Sequence, residues 1–306
     1  MPPDIRPVLV ALRASQLGDL VTVVPALRAL RRGFPGHRIV LAAPGELAPL
    51  ARLSGAVDEV APTRGTVPPP VGRPVDLAVN LHGAGPDSHR ALDALAPRRR
   101  IGVGCPAQGW PGPPAAELDA LHERVRWCRM LAAHGVPADP DDLRLPPPRD
   151  RVADGPVVVH PGAAYGAKRW PVERFAELAR RLAPVGPVVV TGSAAERGLA
   201  ERVAEGAAVL AGRTSIQDLA AVVAGARLVV SGDTGVAHLA SAFGRPSVVL
   251  FGPVGPERWG PPAGPHEALT HARVRRGDPF ADDPDPALLA IGVDEVHAAC
   301  LRVSSA

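Results

Sequence analysis

RLVVSGDTGVAHLASAFGRPSVVLF, residues 227–251, holds two short apolar runs on either side of a helical segment. Arg227–Ser231 and Ser247–Phe251 are dominated by Val and Leu without a polar alternation, the pattern of strands covered on both faces. Gly235–Ala242 between them carries apolar residues at helical spacing. Strand, helix, strand within so short a span is a βαβ unit, and such a unit implies a parallel sheet. The same beat runs upstream. Val157–His160, Pro187–Thr191 and Ala208–Leu210 read as strands; Val172–Leu182, Ala194–Val203 and Ser215–Ala224 read as helices. In the first half, Val8–Leu12, Arg38–Ala43 and Leu77–Asn80 read as buried strands, with helices over Leu20–Arg32 and Ala116–His134.

A chain of 306 residues has room for two domains of ordinary size. Gly135–Asp154 holds five prolines and five aspartates with little apolar pattern, which marks the linker. The expected architecture is therefore α/β: two doubly wound domains, residues 1–145 and 156–306, facing across a cleft. Ligands would sit at the carboxyl ends of the strands. Pro62–Pro74 reads as a long surface loop of the first domain.

Composition excludes several function classes. Aromatics make up 3% of the chain, too few for base-stacking platforms. The net charge of +3 is spread out: 18 Arg against 15 acids up to residue 150, and 16 Lys+Arg against 16 acids beyond it. Neither half has the basic footprint of a nucleic-acid binder. Cys105, Cys128 and Cys300 are scattered and form no CxxC, so neither a disulfide framework nor a zinc knuckle is expected. The first 25 residues contain Asp4, Arg6, Arg13 and Asp19 and lack a signal-peptide core, and no uncharged run reaches the length of a membrane span. The chain is expected in the cytoplasm, with no stable membrane insertion; contact would be peripheral, at the inner face of the plasma membrane.

Three loops between a strand and a helix carry candidate chemistry. Gly162-Ala-Ala-Tyr-Gly-Ala-Lys168-Arg-Trp-Pro171 approaches a P-loop, but Ala167 and Arg169 replace its second glycine and its hydroxyl residue, so a nucleoside triphosphatase is disfavoured. What remains is a small-residue turn that can bring N–H groups to phosphate oxygens. Lys168 is the only lysine beside 33 arginines, which suggests a place where a compact ammonium is needed and a guanidinium fork does not fit. Ser231-Gly232-Asp233-Thr234-Gly235-Val236-Ala237-His238 would present the amides of Thr234 and Gly235 at a helix N-terminus, suited to a diphosphate. Asp233 reads equally well as a plain N-cap, and His238 as a structural helical histidine. Arg13-Ala-Ser-Gln-Leu-Gly-Asp19 has a single glycine, and Gly102-Val-Gly104 lacks the third, so a nicotinamide or flavin fingerprint is absent. Asp19 is either a cap or a carboxylate base. Arg98-Arg99-Arg100 reads as a solvated, strand-flanking run. His82, His89, His122 and His134 show no metal-ligand spacing, and no metal is expected.

These loops, in this order, resemble glycosyltransferase family 9, the ADP-heptose:lipopolysaccharide heptosyltransferase family. The matching pieces are LVALRASQLGDLVTVVPALRALRRGFP, VVHPGAAYGAKRWPVERFAELARRL and VVSGDTGVAHLASAFGRPSVVLFGP, with LAGRTSIQDLAAVVAGA and GVDEVHAACLRV beside them. The likeness is weakest over residues 55–150. It implies the GT-B fold, two Rossmann-like domains with the acceptor bound by the first and the donor by the second, and a last helix that can pack back on the first. It implies an inverting, metal-independent transfer from a nucleotide-diphosphate sugar, ADP-heptose, without a cofactor. By resemblance Asp19 is the catalytic base, Lys168 contacts donor phosphate and sugar, Asp233 binds sugar hydroxyls, Thr234 and Gly235 bind the diphosphate, and His238 completes that motif. Gly162, Ala163 and Ala164 offer only backbone N–H groups to phosphate. Glu196 is placed for the ribose hydroxyls and Thr214 against the base. Arg13, Ser15 and Gln16 are expected against the acceptor.

The acceptor stays open. The Arg-, Ala- and Pro-rich composition suggests a GC-rich bacterial genome, so the acceptor is lipopolysaccharide inner core, another envelope glycan or glycolipid, or a small secondary metabolite. A nucleotide-sugar 2-epimerase would need further carboxylates around the sugar, and a silent sugar-nucleotide binder would not need Asp19, Lys168 and Asp233 together.

Overall fold

The computed structural model describes residues 5–151 and 155–305. They fall into two compact units, one running through Leu143 and the other from Arg144.

Unit 1 is built on five parallel strands: β1 (Val8–Leu12), β2 (Arg38–Ala43), β3 (Glu59–Pro62), β4 (Val75–Asn80) and β5 (Arg99–Ile101), in the order β3-β2-β1-β4-β5. Its helices are α1 (Leu17–Thr22), α2 (Val24–Gly33), α3 (Ala48–Leu53), α4 (Pro86–Asp93), α5 (Ala115–Leu118) and α6 (Glu123–Ala133). β1 is buried along its whole length, as its VLVAL sequence demands of a central strand. The edge strands β3 and β5 are short and carry Glu59, Arg99 and Arg100, which blunts the open edges. Arg99 and Arg100 of the arginine run thus lie in a strand, with Arg98 flanking it; Arg99 is paired to Asp76 at 2.6 Å and Arg100 to Asp93 at 2.7 Å.

Unit 2 repeats the plan with six parallel strands: β6 (Val157–His160), β7 (Val188–Val190), β8 (Ala208–Val209), β9 (Leu228–Gly232), β10 (Ser247–Leu250) and β11 (His266–Leu269), in the order β11-β10-β9-β6-β7-β8. Its helices are α7 (Val172–Leu182), α8 (Arg197–Ala204), α9 (Ile216–Gly225), α10 (Gly235–Phe243), α11 (Pro256–Trp259), α12 (Pro286–Leu289) and α13 (Val293–Ser304). The main core of this unit gathers Val157, Val159, Leu228, Val230, Val248 and Leu250 from the sheet with Trp170, Phe175, Leu178 and Leu182 from the α7 side. The last helix, α13, packs within this unit on α7 and on β9–β11.

In each unit the chain winds one way from its first strand and then reverses. The reversal falls between β1 and β4 in unit 1 and between β6 and β9 in unit 2. At such a switch point the loops leaving two neighbouring strands diverge and leave a crevice.

Two expected helices are broken. Leu20–Arg32 divides at Val23, whose backbone (φ −93°, ψ 0°) ends α1, and Pro25 then opens α2, where its missing N–H costs nothing. Ala116–His134 divides into α5 and α6, and the His122 imidazole accepts from Arg124 N–H to start the second. The linker stretch keeps apolar contacts through Val136, Leu143 and Leu145, all buried. Its residues 152–154 lie outside the described residues. Among the described residues no helix is long and apolar enough to cross a membrane.

Candidate functional site

In unit 1 the switch-point loop after β1 carries Asp19 on the first turn of α1. Gln16 is the N-cap of α1, and Asp19 closes a capping box on it, Oδ2 accepting from Gln16 N–H at 3.2 Å, while Oδ1 accepts from Arg13 Nη2 at 2.6 Å. The Asp19 side chain is 27% exposed. It opens on a cleft of about 440 Å³ formed with Ala14, Ser15, Gln16, Pro44, Arg64 and Gly65. Gly65 and Arg64 come from the proline-rich loop, which Gly65 N–H ties to Ala14 O at 3.2 Å. Ser15 Oγ lies 3.2 Å from Nδ1 of His82, in the loop after β4. Burial, then the Arg13 cation, pushes the His82 pKa down against the opposing pull of Asp19.

Arg13 is not an acceptor contact. It is 2% exposed, and its guanidinium is committed to Asp19, to Glu123 Oε1 at 2.8 Å and to Leu81 O at 2.8 Å. Ser15 and Gln16 do line the cleft.

In unit 2 the loops after β6 and β9 meet at the second switch point. Lys168 Nζ donates to Asp233 Oδ2 at 2.8 Å, with the side chains 23% and 8% exposed. Asp233 is therefore not the N-cap. Thr234 occupies that position, at φ −142° and ψ 171°, and its buried Oγ1 has no hydrogen-bond partner. The first amides of α10 have no carbonyl a turn earlier to bond, which leaves donors beside the Lys168–Asp233 pair. A Cβ on Gly232 would come within 3.1 Å of Lys168 O, so the two loops touch backbone to backbone. His238 is buried one turn into α10, edge-on to Trp259 at 5.8 Å.

The Gly162–Lys168 turn is held from within and from behind. Arg169 folds back onto Ala163 O through Nε at 3.0 Å and Nη2 at 2.8 Å. Ala167 N–H donates to Ala281 O at 2.9 Å, and Asp285 N–H to Ala167 O at 3.1 Å. Asp285, fully buried, organises that strap by accepting from the N–H groups of Arg276, Gly277 and Ala287. Nothing in the sequence distinguished Asp285 from the other aspartates of its neighbourhood. Ala163 is buried, while Ala164 is exposed.

Glu196 lies over the start of this turn. A Cβ on Gly162 would fall 2.1 Å from Glu196 Oε1, so a side chain there would push the Glu196 carboxylate aside. Burial works against the Glu196 charge, but hydrogen bonds from Ser193 and the neighbouring His160 hold its pKa below the ordinary carboxylate value. His160 is pushed down by burial, with Glu196 pulling the other way, and its Nδ1 lies 3.0 Å from Thr191 Oγ1. Thr214 sits half-buried in the loop between β8 and α9. Among the described residues no group of three or more His, Cys, Asp or Glu could hold a metal ion.

Comparisons with known proteins bear on the family and the fold. Residues 136–275 match the model of glycosyltransferase family 9 (heptosyltransferase). No curated protein matches the chain. Among solved structures, the ADP-heptose lps heptosyltransferase II of E. coli is similar at 20% identity, TM-score 0.75, over 97% of this chain and 98% of that one. A family 9 glycosyl transferase of Veillonella parvula is similar at 19% identity, TM-score 0.78, over 100% and 99%. The E. coli heptosyltransferase WaaC with ADP-2-deoxy-2-fluoro heptose is similar at 21% identity, TM-score 0.69, over 95% and 98%. At these identities the likeness is one of fold, two parallel α/β units of the GT-B class.

Proposed function

We propose, from residues 136–275 being a glycosyltransferase family 9 domain, that the chain is an inverting, metal-independent glycosyltransferase. It moves a sugar, heptose from ADP-heptose, to a hydroxyl of a glycan or glycolipid such as the lipopolysaccharide inner core. The observation that carries the reading is the Lys168–Asp233 pair at the switch point of unit 2, beside the N-terminus of α10 and inside the matched segment.

Breaking the anomeric C–O bond puts oxocarbenium character on the sugar and negative charge on the departing diphosphate. The α10 amides and the Lys168 ammonium stabilise that charge, in the place a metal ion takes in other enzymes. Asp233 holds Lys168 in place before the donor arrives and offers its carboxylate to sugar hydroxyls. Thr234 Oγ1, without a protein partner, is free to bond the diphosphate. Glu196, ionised at neutral pH, accepts from the ribose hydroxyls, and Thr214 borders the base. Asp19 takes the proton of the acceptor hydroxyl as it attacks; general-base help of this kind is worth about 10²–10⁴-fold. WaaC, to which the chain is similar, is solved with ADP-2-deoxy-2-fluoro heptose, which supports the choice of donor.

Calorimetric titration with ADP, UDP, GDP and their sugar conjugates, in chelator, tests the reading. ADP binds in preference to UDP and GDP, and ADP-heptose binds tighter than ADP. Preference for another nucleotide would overturn the donor, and a requirement for metal would overturn the metal-free mechanism.

A further inference from the structure

The guanidinium of Arg13 is shared between two carboxylates. Its Nη2 donates to Asp19 Oδ1 at 2.6 Å and to Glu123 Oε1 at 2.8 Å, while Nε reaches Asp19 O at 3.2 Å. Trp127 Nε1 donates to the same Glu123 oxygen at 2.7 Å, and its ring centroid lies 5.1 Å from Arg13 Cζ. Glu123 and Trp127 stand on α6, Arg13 follows β1, and Asp19 is on α1. Arg13 and Glu123 are both buried, whereas Asp19 reaches solvent.

An Arg13–Asp19 pair by itself would place a buried cation against the candidate base and make that carboxylate reluctant to accept a proton. Glu123 supplies the second negative charge. The other charged groups facing Arg13 and the two carboxylates are His82, from the loop after β4, Arg64, which shares the cleft with Asp19 and pairs with Glu46 at 2.8 Å, and Arg126 on α6, whose Nη1 is 3.9 Å from Glu123 Oε2. His82 is held neutral by burial and by Arg13 itself. Arg126 also pairs with Asp119 at 3.0 Å. Glu123 is thus the anion that divides the Arg13 charge with Asp19.

We propose that Glu123 is a positioning residue: acting through Arg13, it fixes the Asp19 carboxylate and offsets the guanidinium charge, so that the base is rigid and still basic. The inference rests on Asp19 being the general base of the proposed transfer.

The test follows the Asp19 carboxyl carbon by NMR through a pH titration of the free protein, assigned by its loss in Asp19→Asn. Glu123→Gln keeps an acceptor for Arg13 and removes the charge. Its titration midpoint falls by about one pH unit, the size expected for one charge a few ångströms away. The double variant Arg13→Gln with Glu123→Gln removes the cation too, and its midpoint rises above that of the parent protein. Glu123→Gln also lowers the rate of ADP release from ADP-heptose at least tenfold, with the KM for ADP-heptose unchanged. A purely structural ion pair would lower the melting temperature and leave the midpoints together, and that result overturns the proposal. If Glu123→Gln does not fold, Arg13→Gln is compared with the double variant: a higher Asp19 midpoint in Arg13→Gln, where the Glu123 charge remains, supports the proposal, and equal midpoints overturn it. Full turnover in Asp19→Asn would instead overturn the base assignment, leaving the titration result as it stands.

Discussion

Lys168 Nζ and Asp233 Oδ2 are 2.8 Å apart in a crevice where both side chains are mostly covered. A guanidinium is wider and planar and needs more room than the compact ammonium that fits against Asp233 here. Lys168→Arg therefore weakens ADP-heptose binding at least tenfold by calorimetry despite keeping the charge; unchanged affinity would mean that any cation serves there. Both residues were legible in the sequence because each stands in a small-residue loop between a strand and a helix. Their contact was not, because 65 positions separate them and only the order of strands brings them together. Glu123 gave no signal for the same reason. One acid on the first turn of a helix is ordinary, and its partner Arg13 lies 110 positions away. Arg13 was misread because an arginine beside a candidate base looks available to a ligand until its burial is known.

The strap over the unit 2 loop shows what holds at the level of elements. A Cβ on Gly166 would sit 1.5 Å from the carbonyl oxygen of Asp282, so any side chain there must lift the strap from the loop. Gly166→Ala therefore frees the Ala167–Ala281 and Ala167–Asp285 hydrogen bonds and displaces Lys168. ADP-heptose affinity drops at least tenfold by calorimetry while the far-ultraviolet dichroism is retained; unaltered binding would show that the strap does not set the loop. Central elements of both sheets were readable from their apolar runs, and β1, β2, β6 and α7 have the expected bounds. The edge strands β3 and β5 were not, since strands of four and three residues with charged side chains have no period to detect. The break at Val23 was hidden because Pro25 sits within an otherwise continuous helical pattern, and proline is as acceptable at a helix start as it is disruptive inside one.

Taken over the whole molecule, stability should respond to acid through half-buried histidines before carboxylates. His266, hydrogen-bonded to Ser247 Oγ at 2.9 Å, is pushed down to about 4 by burial and then by the Arg144 cation. Burial lowers His160 and His82 as well. In the unfolded chain these rings titrate near 6.5. As pH falls below that value the unfolded state takes up protons that the folded state refuses, so the folded state loses stability down to the folded pKa, about 4 for His266. Asp58, Asp76 and Glu123, whose pKa values are all lowered, add their share only at lower pH, as the medium drops through the carboxylate range. The urea midpoint followed by tryptophan fluorescence is therefore lower at pH 5 than at pH 7. His266→Gln, which has no ring to protonate, loses stability at pH 7 with the Ser247 contact but shows a smaller difference between the two pH values. An equal difference in the variant and the parent protein would show that burial of His266 contributes nothing to the acid sensitivity. The burden would then fall on His160 and His82, which lie in different units.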